Sequence, residues 1–307
     1  MRYFTSHTVN ESFNDIIQNL MVWPEYIVNP RNQEVREIKD CVIEIDDPMS
    51  NLYVSEHRNS PLTYIAAELL WYFSGTNDPT FIENYASLWK RIHNKDGTVN
   101  SAYGNLIFRE KNTHGLNQYE WVIESLKRDK DTRQAFMHFN KPEHQDFGIK
   151  DQVCTLQALF HIRDEKLYMT IDMRSNDVIY GFMTDWAFFS VLQYHVYLHM
   201  LSYYPKLKMG SYTHISHSMH LYDRHYELAN KILKSPGTVV SGLPFLSEPV
   251  LSENGQILSK YRDVFDIVLN NKIEKIENIT LTKNPLIDWC IKILKEDYLN
   301  KKELKLL

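Results

Sequence analysis

The spacing of apolar positions along the chain switches between two periods. From Glu11 to Leu20 the residues Phe13, Ile16, Ile17 and Leu20 fall three and four apart, which predicts an amphipathic helix. A loop, NPRNQEVREIKD, follows and holds Arg31 and Arg36. Cys41 to Ile45 then alternates as a strand, closed by Asp46-Asp47-Pro48. Ser60 and Pro61 supply a helix N-cap and a proline at the first helical position for PLTYIAAELLWYF, which Gly75 ends. Phe81, Tyr85, Leu88, Trp89 and Ile92 predict a second helical segment, and a further helix runs from about Leu116 to Leu126. AFMHFN reads as a short strand.

The densest patterning lies between Asp151 and Asp185. Cys154 to Ile162 has strand composition, Arg163 to Lys166 makes a turn, and Leu167 to Met173 alternates again, so Arg174 falls at a strand end. Trp186, Phe189, Leu192, Val196 and Met200 are spaced as in a helix, predicting a buried helix over 185–200 whose first turn starts at Asp185. Another helix ends near Ser235-Pro236-Gly237, after which apolar residues thin out and a last helix runs through KNPLIDWCIKILKEDYLNKKELK. No internal repeat or low-complexity tract is present. The expected organisation is one catalytic domain over 1–307, with 236–307 as a divergent C-terminal extension.

Composition narrows the classes. With 307 residues, 43% of them hydrophobic and 24% charged, the chain buries a large core without needing a disulfide or metal. A formal net charge of −5 argues against wrapping nucleic acid and leaves a small anionic substrate open. Cys41, Cys154 and Cys290 are far apart, odd in number and without metal-binding spacing, which points to the reducing cytosol and to no metal site. The N-terminal stretch lacks the apolar core of a signal peptide, and no run approaches a membrane span, so a soluble cytoplasmic protein is expected.

Cys154, flanked by polar residues at a strand start, can act as a nucleophile if a nearby cation favours its thiolate, and Arg174 can lie beside it across the hairpin. A small buried hydrophobe is the other reading of a lone cysteine. An Arg-Ser pair at a strand end suits a phosphate, with a surface ion pair as the alternative. Glu68 sits in the apolar frame AAELLWYF, where a carboxylate without partners is costly.

Taken together, Cys154, RSNDV at 174–178, Gly181 and Asp185 resemble the thymidylate synthase superfamily, in which a catalytic cysteine precedes an RSxDVxxG segment at this spacing. ELLW at 68–71, Trp89, the YG at 103–104, the DTR at 131–133 and the HLY at 220–222 recur in the same order, covering roughly residues 60–230. The resemblance implies an α+β fold whose mixed sheet supplies a homodimer face, and a small-molecule nucleotide substrate with 5,10-methylenetetrahydrofolate as co-substrate. It implies that Cys154 adds to C6 of a pyrimidine nucleotide and so turns C5 into a carbon nucleophile. Arg174 and Ser175 would bind the phosphate, Arg133 would reach it across the dimer, and Arg31 is a further candidate by position. His220 and Tyr222 would hold the sugar hydroxyl, Glu68 would organise water and protons near C4 and C5, and Tyr103 would assist proton removal from C5. Asp177 and Trp89 would meet the folate. Family members usually carry a second arginine where this chain has Gln134, which puts one cross-subunit contact in doubt.

Asp185 is the departure that bears on substrate. Thymidylate synthases have asparagine here, whose amide accepts from uracil N3–H and donates to O4. Cytosine reverses that demand, and a protonated carboxyl meets it, so a cytidylate is expected; an N-cap for the following helix is the alternative reading. VCT, IRDEK and MRSNDV also resemble phage-type deoxycytidylate hydroxymethylases more than thymidylate synthases, consistent with a phage-encoded enzyme acting in its host's cytoplasm. The tail KKELKLL differs from the short apolar tail that closes thymidylate synthases over folate, which favours water over hydride as the final reactant and a hydroxymethyl product. Folate-dependent methylation, by a dCMP methylase or thymidylate synthase, and an idle nucleotide-binding relative are the rival readings.

Overall fold

The computed structural model describes residues 1–304, so the last three residues of the KKELKLL tail lie outside the described residues. In chain order the elements begin with β1 (Arg2–Ser6), α1 (Val9–Val22), β2 (Tyr26–Val28), β3 (Val35–Ile45), α2 (Leu62–Ser74), α3 (Tyr103–Phe108), α4 (Gln118–Arg128) and β4 (Phe136–His138). There follow β5 (Thr155–Arg163), β6 (Lys166–Met173), β7 (Asn176–Asp177), α5 (Gly181–Met200), β8 (Lys208–Tyr222), α6 (Tyr226–Lys234), α7 (Arg262–Leu269) and α8 (Pro285–Leu304). The architecture is α+β, and the chain forms two compact units. The first comprises Met1–Ser60, Cys154–Tyr197 and Lys206–Leu243; the second comprises Pro61–Val153, Leu198–Pro205 and the described residues from Pro244 onward.

A mixed sheet organises the first unit, ordered β1-β3-β8-β6-β5, with β2 on β3 and β7 on β8. β1 lies parallel to β3 and β6 parallel to β8, while β3 with β8 and β5 with β6 are antiparallel. Alternation puts Ala158, Phe160, Ile162, Met169, Ile171, Tyr212 and His214 on the buried side and leaves Leu159, Tyr168 and Ile215 half-buried on the other. β5 and β6 are joined at Arg163↔Lys166 through Asp164 and Glu165, both at positive φ (49° and 58°), the turn geometry that matches strand twist. That turn sets the register as far as Gln157↔Asp172, and a one-residue shift between Thr155 and Gln157 then pairs Thr155 with Met173 and brings Cys154 opposite Arg174.

α5 is apolar nearly all round, as expected of a helix enclosed in a core. Its Trp186 stacks on Tyr212 of β8 with centroids 4.0 Å apart. Burying side chains of this size contributes about 1.5–3 kcal/mol each. At the N-terminus of α1, Thr8 and Glu11 form a reciprocal capping box.

In the second unit α2 carries Trp71 and Phe73 into the core, and α8 and α7 pack against it. α3 meets α2 backbone to backbone: a Cβ at Gly104 would lie 1.8 Å from the Tyr72 carbonyl oxygen. Gly104→Ala must therefore push α3 away from α2, and we expect it to lower stability by about 3 kcal/mol or more. Urea titration checks this, and an unchanged midpoint would contradict the contact.

Four local expectations need correction. α2 starts at Leu62 rather than Pro61, whose ψ of 82° is not helical, and the Ser60 hydroxyl makes no cap because it accepts from the Tyr53 backbone N–H at 2.9 Å. The segment around Phe81 to Ile92 forms two single 3₁₀ turns, Ile82–Asn84 and Trp89–Arg91, instead of a helix. There the Asn84 side chain takes the Thr80 and Phe81 carbonyls, the competition that disfavours asparagine inside helices. Arg36 belongs to β3, because the strand begins six residues before Cys41 and runs on through Asp40, which adopts a φ of 50°. α5 begins four residues before Asp185, so that residue lies within the helix and cannot be its N-cap.

Candidate active site

Cys154 immediately precedes β5, and Arg174 immediately follows β6. The Arg174 backbone N–H donates to the Cys154 carbonyl at 2.9 Å, extending the hairpin ladder by one rung and setting the two side chains opposite each other. The Arg174 guanidinium reaches the Cys154 Sγ at 3.5 Å with Nη2 and the Ser175 Oγ at 3.2 Å with Nη1, and the Ser175 Oγ is 3.9 Å from the Cys154 Sγ. A half-buried thiol thus faces a positive charge and a hydroxyl, and the guanidinium is exposed enough for an anion to approach it. Cys41 and Cys290 differ from it in every respect: both are fully buried, and burial pushes the Cys41 thiol up to about 12 and that of Cys290 higher still.

β7 continues directly from this corner, pairing parallel to β8 so that Asp177 comes opposite His220. Asp177 Oδ1 accepts the Ile179 backbone N–H at 2.8 Å, turning the chain toward α5, while Oδ2 has a long 3.9 Å contact with Arg224 and remains able to accept a ligand N–H. Arg224 stacks over Tyr222 at 3.9 Å, and Tyr222 meets His220 edge to face at 5.1 Å. His220 and Tyr222 lie at the end of β8. The His220 Nδ1–H donates to the Ser218 carbonyl at 3.0 Å, which leaves Nε2 as an acceptor suited to a hydroxyl.

The turn after Asp177 delivers Asp185 on the second turn of α5. Its Oδ2 accepts the Asn176 Nδ2–H at 2.7 Å. The surroundings are desolvating, and burial raises the carboxyl from the ordinary aspartate range to about 7, against the smaller lowering effect of the Asn176 bond. Gly181 makes room for the pair: a Cβ there would lie 3.3 Å from both Asn176 Nδ2 and Asp185 Oδ2. Asn176, itself 3% exposed, is a site residue that the sequence reading passes over, because nothing in RSNDV signals that its third residue meets an aspartate nine positions on.

The second unit gathers other predicted residues. Glu68 on α2, 6% exposed, accepts the Tyr64 hydroxyl at 2.7 Å, and that hydroxyl accepts from Trp89 Nε1–H at 3.1 Å. A carboxylate, a phenol and an indole form one chain. Tyr64 is a second residue absent from the sequence reading, although its position four residues before Glu68 on a helix is a legible signal. Tyr103, at the start of α3, stacks on Tyr72 at 5.4 Å and meets Phe139 edge-on at 5.2 Å. Arg133 is exposed on the loop after α4, where with Arg128 and Trp121 it lines a depression of about 630 Å³. Arg31 stands apart in the first unit, exposed in a left-handed conformation (φ 54°) between β2 and β3. Among the described residues, no cluster of three or more His, Cys, Asp or Glu is arranged to hold a metal ion, and no helix is long and apolar enough to cross a membrane.

Comparison with known proteins accords with this geometry. The family model described as thymidylate synthase matches residues 12–253. The deoxycytidylate 5-hydroxymethyltransferase of Enterobacteria phage T4 is 31% identical over 192 residues, 58% of this chain and 74% of that protein. The deoxyuridylate hydroxymethyltransferase of Bacillus phage SP01 is 25% identical over 296 residues, 88% of this chain and 76% of its own. A thymidylate synthase of Buchnera aphidicola is 29% identical over 194 residues, 60% and 69% of the two chains. The solved structure of thymidylate synthase A from Bacillus subtilis superposes with a TM-score of 0.59 at 19% identity, covering 76% of this chain and 86% of that one, a likeness of fold.

Proposed function

The chain belongs to the thymidylate synthase family, and from that premise we propose that it hydroxymethylates C5 of a cytidine monophosphate, dCMP in preference to CMP. The reaction takes the nucleotide, 5,10-methylenetetrahydrofolate and water to the 5-hydroxymethyl nucleotide and tetrahydrofolate. One observation carries the choice of base: Asp185, with its carboxyl held near pKa 7 and bonded by Asn176, stands where thymidylate synthases have an asparagine amide. A carboxyl of that kind is protonated in about half of the molecules at neutral pH, and in that form it can donate to cytosine N3 while accepting from the 4-amino group.

On this reading the Cys154 sulfur adds to C6, and the Arg174 guanidinium 3.5 Å away stabilises its thiolate charge. Addition breaks the ring's aromatic character, so that C5 becomes a nucleophile. Arg174 and Ser175 hold the phosphate. Arg133, brought by a second copy of the chain, would complete that grip in a homodimer formed through the sheet face carrying Leu159, Tyr168 and Ile215, with Arg31 as an additional phosphate contact. His220 and Tyr222 take the sugar hydroxyl. Asp177 Oδ2 and Trp89 suit the folate, which supplies a one-carbon unit at the oxidation level of formaldehyde. Glu68, with its hydroxyl partner Tyr64, and Tyr103 order the water that carries the C5 proton away as tetrahydrofolate leaves; a water then adds to the exocyclic methylene, and the Cys154 sulfur departs from C6 with the electron pair of their bond. We take residues 1–307 as a single catalytic domain, with 236–307 as an extension, acting in the cytoplasm of a phage host.

The uracil reading has the SP01 relative in its favour, and Asp185 stands against it. Incubation with methylenetetrahydrofolate and each of dCMP, CMP and dUMP, followed by product mass and dihydrofolate absorbance, separates the readings. Hydroxymethyl-dCMP without dihydrofolate is expected. Turnover of dUMP alone would overturn the choice of base, and dihydrofolate formation would mean a methyl product.

A further inference from the structure

A protonated carboxyl does not by itself distinguish cytosine from uracil. Either oxygen can carry the proton, so the same group can present donor and acceptor in either order along the edge of the base. An asparagine amide lacks that freedom, and something must remove it from Asp185 if the residue is to select. The structure offers one group for the task. Asn176 Nδ2 donates to Asp185 Oδ2 at 2.7 Å from a buried position on β7, and its amide is further fixed by a 3.0 Å contact with the Met173 sulfur. Gly181 leaves the pair room, since a Cβ there would lie 3.3 Å from both Asn176 Nδ2 and Asp185 Oδ2.

We propose that Asn176 is the positioning residue for base selection: by occupying Oδ2 with an N–H donor, it keeps that oxygen as the acceptor and confines the Asp185 proton to Oδ1. A carbonyl oxygen accepts an N–H well and a hydroxyl oxygen poorly, so moving the proton to Oδ2 would weaken the Asn176 bond within a desolvated site. Resting on the cytidylate reading, the assignment then follows atom by atom. Oδ1–H donates to cytosine N3, and Oδ2 accepts the 4-amino hydrogen together with the Asn176 hydrogen. Uracil would need the opposite placement of the proton. Asn176 therefore acts against uracil without touching the base. The titratable groups near Asp185 on the facing strand β8 are Tyr212, whose hydroxyl pKa is raised chiefly by burial, and His214, which burial holds neutral with a pKa of about 3. Neither offers Asp185 a competing positive charge.

The test is the ratio of kcat/KM for dCMP to that for dUMP in the full-length enzyme. Asn176→Ala should lower the ratio by about tenfold, the scale of one hydrogen bond to a charged or proton-sharing group. Asn176→Asp keeps the volume and so protects against a folding defect. It draws the proton between residues 176 and 185, leaves Oδ1 as an acceptor, and should lower the ratio further, chiefly through loss of dCMP turnover. In an Asp185→Asn background the Asn176→Ala change should leave the ratio unmoved, since an amide cannot exchange its donor and acceptor. A ratio unchanged in Asn176→Ala and Asn176→Asp, or one that falls equally in the Asp185→Asn background, overturns the role while leaving the cytidylate reading intact. A wild-type enzyme with no preference for dCMP overturns both.

Discussion

Cys154→Ser is expected to reduce turnover by about a thousandfold or more, while nucleotide binding stays within a few-fold of the wild type. The difference lies in which atom can carry negative charge beside Arg174. A thiolate is accessible near neutral pH when a guanidinium stands 3.5 Å from the sulfur, whereas a serine alkoxide in the same place is not. Phosphate and sugar contacts come from Arg174, Ser175, His220 and Tyr222 on the proposed reading, so the binding step survives the substitution. Release of tritium from C5 of labelled dCMP measures the covalent step without depending on the fate of the one-carbon unit. Persistence of that release in the serine variant would sink the mechanism, and loss of binding along with turnover would show that the sulfur had been structural.

Asp185→Asn is the second large effect, and it acts on choice rather than speed. The amide donates where the cytosine amino group also donates, and one such unmatched polar pair in a closed site typically costs several kcal/mol. We expect the dCMP:dUMP ratio of kcat/KM to move toward dUMP by about three orders of magnitude. The same substitution has a signature in stability. Burial raises the Asp185 carboxyl to about 7, so the folded state binds its proton more tightly than the unfolded chain does. The neutral acid therefore costs nothing extra below about pH 4, and stability is lost as pH rises from there through about 7. An asparagine removes that loss. The variant should gain melting temperature over the wild type at about pH 8 compared with its standing at about pH 4, and a difference that does not vary with pH would contradict a raised carboxyl.

How much of this is readable from sequence depends on whether the relevant contact is local. The hairpin that joins Cys154 to Arg174 follows from period-two alternation on both sides of Arg163–Lys166, whereas the one-residue register shift between Thr155 and Gln157 that aligns the two is not readable from the turn. Glu68 stands out as a carboxylate in an apolar helix, and its partner Tyr64 lies one turn away on the same face. The bond between Asn176 and Asp185 is hidden, since it depends on the chain reversing between β7 and α5, a turn set by the Asp177 side chain. α5 starts four residues earlier than the stripe read from Trp186 onward, because Phe182 and Met183 are buried as well and Phe182 packs on Trp186 one turn ahead of it. Ser60 misleads because its hydroxyl is claimed by Tyr53, seven residues back, rather than by the helix it precedes. Arg31 sits in solvent on a tight turn, where pattern alone says nothing about what it meets.

The unequal burial of the three cysteines makes this chain a convenient subject for chemical labelling. Cys41 and Cys290 are 0% exposed and their thiols stay protonated at neutral pH, whereas Cys154 is partly open beside a cation. A maleimide dye added to the native protein is therefore expected to report on a single sulfur, and on the proposed reading its attachment should slow as nucleotide fills the site. Active-site concentration and ligand affinity can then be read from a fluorescence trace before any product has been identified.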